Sequence, residues 1–167
     1  HRTSIGRGNK TLVNGPVLDE ADSKDENEQF KVYVFNSQDN GQAPKKAEEI
    51  IIEDKETRQH LHFKFPNIWQ NYITKKMRVF ISFTPIDEEN TILFMRVYQN
   101  MVKIPVIRSI FNWMSMIFSK IVLFQDRRVV VTQLPKKSEF KMDENLLPGD
   151  MPIIHFRKVR DTLKNRN

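Results

Sequence analysis

Between Ile104 and Phe124 the chain carries only two charges, Arg108 and Lys120. A run this long and this apolar has two homes: the core of a folded domain, or a membrane, which asks for about 20 apolar residues. Pro105 suits the first turn of a helix, and helical character continues from Val106 to Gln133. At about 100° per residue, Asn112, Ser115, Ser119, Val122, Asp126 and Gln133 fall within roughly 40° of one line. Ile, Phe, Trp, Met, Val and Leu fill the other faces. Those polar positions and the two charges favour the core helix of a soluble domain over a span. The stripe itself has two readings. It faces water, which Arg108 on the same line suits, or it faces a polar pocket in which Asp126 is the functional carboxylate.

Ahead of this helix the pattern has period two, the mark of half-buried strands. Phe30, Val32 and Val34 alternate with Lys31 and Tyr33; Leu61, Phe63 and Phe65 alternate with His60, His62 and Lys64. Met77, Val79, Ile81 and Phe83 alternate with Arg78, Phe80 and Ser82, and the chain turns at 87–90 to return as Thr91–Tyr98. Ile50, Ile51 and Ile52 suggest a further short strand, and residues 1–29 read as an extended polar segment. After a polar connection at 134–149, a basic helix is expected over 150–165, with Ile153, Phe156 and Val159–Arg160 inward. Strands first and helices last give an α+β domain, a curved antiparallel sheet gripping the long C-terminal helix. The cavity between sheet and helix is the default ligand site.

The 167 residues make one domain and contain no cysteine. That excludes a disulfide framework, a cysteine nucleophile and a cysteine-held iron–sulfur cluster within this stretch. The net charge of +6 is uneven: residues 18–29 hold six acids and one lysine, which leaves +11 on the remainder. The basic residues are dispersed, with no Lys/Arg run longer than two, so nucleic acid is not expected as a partner. Glycine-rich phosphate loops, nucleophile elbows and His-Glu-x-x-His helices are all missing. His60 and His62 share a strand face at a spacing that can chelate a metal, or form a solvated face. His155, among Ile154, Phe156 and Arg157, reads as structural. The chain opens on His1-Arg2-Thr3-Ser4 rather than Met, and we expect it to be part of a longer polypeptide.

Three segments together resemble a known family: the opening HRTSIG, the block FKFPNIWQNY…MRVFISFTPIDEENTILFMRVYQN, and QDRRVVVTQLP followed by GDMPIIHFRKVRDTL. They are similar to the catalytic domain of Rieske non-haem iron oxygenase alpha subunits of the vanillate O-demethylase and pheophorbide oxygenase type. The resemblance runs from Gln59 to the end, includes the first few residues, and is weak over 7–58. Its most specific piece is an Asp-x-x-Val-Val-x-x-Gln helical setting, which Asp126 and Gln133 reproduce. The Pro-Ile-Asp-Glu-Glu-Asn-Thr turn at 85–91 supports it.

The resemblance implies a mononuclear Fe(II) held by two histidines and one aspartate. Carried onto this chain, Asp126 matches the aspartate and His1 the second histidine. The first histidine, the electron-transfer Asp and the Rieske [2Fe–2S] domain would lie upstream. Implied with them are O2 activation, and hydroxylation or oxidative demethylation of an apolar or aromatic substrate. Electrons would come from NAD(P)H through a reductase, with or without a ferredoxin, to a homotrimer. Ser119 and Val122, on the face of Asp126, are the expected pocket residues. A cytoplasmic address is expected, without membrane association. The alternative is a non-enzymatic helix-grip module binding a hydrophobic ligand.

Overall fold

The structure is a computed structural model that describes residues 12–13, 16–19, 29–35, 37–38, 49–134, 136, 138–139, 142, 144–146 and 150–165. Among the described residues, eight strands precede two helices: β1 Leu12–Val13, β2 Pro16–Leu18, β3 Gln29–Val34, β4 Ser37–Gln38, β5 His60–Lys64, β6 Ile68–Thr74, β7 Met77–Pro85, β8 Thr91–Gln99, then α1 Pro105–Thr132 and α2 Met151–Lys164. β1 pairs with β4, and the other six form one antiparallel sheet in the order β2-β3-β5-β6-β7-β8. The architecture is α+β.

Register divides the sheet into two unlike faces. One carries the row Tyr33, His60, Tyr72, Arg78 and Tyr98, each directly opposite the next. The other carries Phe30, Phe63, Trp69, Ile81 and Met95 in the same relation. Side chains alternate along a strand, so the alternation of β3, β5 and β7 separates a polar, ring-bearing face from an apolar one. Among the described residues, Val17, Phe30, Val32, Tyr33 and Val79 are the buried hydrophobic ones.

The apolar face is covered at its β3–β5 end by α2. His155 meets Phe30 edge-on at 5.1 Å, and Phe156 meets Phe63 at 5.1 Å and stacks on Phe65 at 5.2 Å. Phe30 itself stacks on Phe63 at 5.5 Å. The connection before α2 is held to it by Arg157, a buried guanidinium. It donates to both Glu144 carboxylate oxygens (2.5 and 3.2 Å) and, through Nε, to Ser138 Oγ at 2.9 Å. This fork lowers the Glu144 carboxyl below the usual carboxylate range, chiefly through the hydrogen bond, and raises Arg157 further.

The expected strands at β3, β5, β7 and β8 form, as does the turn between the last two. There Asp87 Oδ1 accepts from the backbone N–H groups of Glu89 (2.8 Å) and Asn90 (2.7 Å), and from the Asn90 amide at 2.9 Å. Those bonds, the Asn90 side chain first, hold the Asp87 carboxyl below its ordinary range. Ile50–Ile52 are not a strand: they pair with nothing in the sheet, and Ile51 is 77% exposed. β6, a central strand, has no counterpart in the sequence reading. The long helix also behaves differently from expectation. Among the described residues the sheet does not close around α1, which has no buried residue and meets the sheet beside β8.

His155 supplies a pH test of the packed end. Its half-buried ring is held below the ordinary imidazole value, first by burial and then by the Lys158 charge. The unfolded chain therefore takes up a proton at His155 near pH 6.5, while the folded chain still excludes it. Stability conferred by the neutral ring is complete above that value and falls as pH drops through it. Urea midpoints are expected to fall between pH 7.5 and pH 5.5, with a shallower slope in His155→Gln; equal slopes would dissociate His155 from the effect.

Candidate functional site

β8 delivers the chain into α1 through one side chain. Gln99 Oε1 accepts from the backbone N–H groups of Met101 (2.8 Å) and Val102 (2.9 Å), and its Nε2 donates to Asn112 Oδ1 at 3.3 Å. The last bond, between exposed side chains, ties Asn112 on the polar stripe to the end of the sheet. Phe111, Ser115, Ser119, Val122 and Asp126 recur at helical spacing on that side and are all half-buried. Ser119 and Val122, the expected pocket residues, lie with Asp126 on this stripe, one and two turns before it.

Gln133 ends the helix, its backbone N–H donating to the Val130 carbonyl at 3.3 Å. The Thr132 hydroxyl donates to the Val129 and Arg128 carbonyls at 2.9 and 3.1 Å. Asp126 thus stands on a helical segment whose end is secured. His1 lies outside the described residues. As a ligand set for a metal ion the described residues are incomplete: no three His, Asp or Glu side chains among them gather closely enough. They do not by themselves fit an iron ion, and Asp126 is the one expected ligand within them.

His60 and His62 are buried rather than solvated. His60 Nδ1 donates to the Arg58 carbonyl at 2.9 Å, and the ring stacks on Tyr72 at 4.6 Å. His62 Nε2 shares a 3.0 Å hydrogen bond with Gln29 Oε1. The two imidazoles serve different partners within a packed row, and that row continues as Arg78 over Tyr72 (5.9 Å) and Tyr98 (5.3 Å). Sequence spacing gave no sign of this stacking, because it is built across strands.

On the apolar face, Trp69 Nε1 and Asn71 Oδ1 are buried without a hydrogen-bond partner. Lying two residues apart on β6, they present one donor and one acceptor on the same side. An unmet buried polar atom costs about 1–3 kcal/mol, so a ligand or a water carrying both functions is favoured there. No family model, curated protein or solved structure matches the chain.

Proposed function

We propose that this chain is the C-terminal catalytic portion of a Rieske-type non-haem iron oxygenase, acting on an apolar or aromatic substrate. The observation that carries the reading is Asp126: an acid half-buried on the polar stripe of the long helix, inside the Asp-x-x-Val-Val-x-x-Gln setting that ends at Gln133. An aspartate is a poor choice inside a helix on propensity alone, so its place there suits a task other than helix formation. In this reading the remaining iron ligands and the [2Fe–2S] cluster come from residues outside the described ones. Bound iron would supply oxygen activation; this chain's part is to hold one carboxylate on a rigid helix. The helix-grip arrangement belongs to the same proposal, with the Asn112–Gln99 hydrogen bond as the link between the polar stripe and the sheet end.

The test is iron and acid-labile sulfide in the longest native polypeptide containing this chain, purified without air. About three irons and two sulfides per chain are expected, for one cluster and one mononuclear site. A well-folded protein with neither sinks the reading. The unmet Trp69 and Asn71 atoms favour a second reading, a module without a metal that binds an apolar ligand bearing a hydroxyl group. Iron-free protein that retains such a ligand through purification would establish it.

A further inference from the structure

We infer that the outward face of α1 docks on an anionic lipid bilayer, lying in its interface. The proposal stands on the orientation of the helix and does not depend on the oxygenase reading. A helix on a water-exposed surface turns its apolar stripe to the core and its polar stripe to solvent. α1 does the reverse. Asn112 faces the sheet end, while the opposite side presents Ile110 (54% exposed), Trp113 (60%), Ile117 (38%), Ile121 (51%) and Phe124 (63%). An 18-residue window of this helix is apolar enough for a membrane, with none of it buried.

Charge selects the occupant. From Lys103 to Arg128 there are five basic residues and one acid; Arg108 and Asp126 lie on the polar stripe, while Lys120 and Arg128 stand beside the outward apolar residues, a balance that suits an anionic surface and opposes a basic one. Lys120 and Arg128 border an open depression along the helix whose other walls include Ile117, Ile121 and Phe124. Apolar side chains flanked by cations match acyl chains below and anionic headgroups beside them, and long basic side chains reach the headgroup level. Trp113 suits the interfacial depth at which one ring edge is wet. The helix lies on the membrane rather than crossing it because its half-buried stripe, Ser115 to Asp126, is turned toward the protein. At about 1.5 Å per residue the helix is about 42 Å long, which gives a broad footprint parallel to the surface.

The test uses the whole chain with vesicles of phosphatidylcholine, alone or in equal mixture with phosphatidylglycerol. Co-sedimentation is expected to be about tenfold or more stronger on the anionic vesicles and to weaken with salt. Trp113 emission should shift to the blue on binding, and the shift should vanish in Trp113→Phe, which leaves Trp69 in place. Ile117→Asp with Ile121→Asp, at exposed positions, should abolish binding while far-ultraviolet circular dichroism stays unchanged. Failure to bind either vesicle, or binding that survives the paired aspartates, would overturn the proposal. So would a concentration-dependent dimer that the aspartates dissolve and vesicles do not compete with, which would give the face to a second copy of the chain.

Discussion

Replacing Phe30 with alanine is expected to cost about 3–5 kcal/mol, the range for a buried phenylalanine whose cavity cannot close. Phe30 is 5% exposed and lies at the centre of the contact between sheet and α2. It stacks on Phe63, approaches Phe65 at 6.1 Å and takes the His155 ring edge-on. None of these partners can move in to fill the space, since Phe63 and Phe65 are themselves held by Phe156. A domain of this size has about 5–15 kcal/mol of stability in total, so the variant should lose much of its folded margin. The urea midpoint should drop sharply with the slope unchanged. Ile153 is the contrast: expected to face inward, it is 47% exposed on α2, and its alanine variant should stay within about 0.5 kcal/mol of the parent. Equal effects at the two positions would mean that α2 does not close this end of the sheet.

The second large effect is expected at Asp126, and it should appear in metal content rather than in stability. Under the oxygenase reading, Asp126→Ala in the complete polypeptide removes the mononuclear iron and oxygen-dependent turnover, while acid-labile sulfide remains. Aspartate is a weaker helix former than alanine by up to about 0.7 kcal/mol, and the site is only half-buried. The melting temperature should therefore hold steady or rise slightly. Asp126→Asn keeps the size and removes the charge, and should also lose iron. Retention of full iron and activity in both variants would refute the assignment; loss of sulfide as well would trace the defect to folding.

What the sequence disclosed follows from what alternation can encode. β3, β5 and β7 have one apolar face each, so period two finds them, and the Asp87–Asn90 turn is written in side chains that bond within four residues. β6 escapes because Ile68, Trp69, Tyr72 and Ile73 supply bulky groups to both faces of a central strand, leaving no contrast for a period to show. Ile50–Ile52 has strand-forming residues and no neighbour to pair with. The polar stripe of α1 is legible from spacing. Which side of the helix meets the protein is not, because that depends on one contact, Asn112 to Gln99, made at the end of another element. The site is legible to the same degree: Asp126, Ser119 and Val122 share a face as read, and no companion ligand joins them among the described residues.

Because β5, β6, β7 and β8 are joined in chain order with antiparallel neighbours, most of the sheet's pairing is local, and local contacts favour fast folding. The β7–β8 hairpin, nine residues on each strand, can close on the microsecond scale of isolated hairpins. The late event is of another kind. α2 must return across more than eighty residues to meet β3 and β5, and the entropy of closing that loop is spent before Phe156 and His155 repay it. A ribosome releases α2 after every strand of the six-stranded sheet. The apolar rings of Phe30, Phe63 and Phe65 therefore stay uncovered by it until α2 has emerged, and that interval is when these rings are most exposed to self-association.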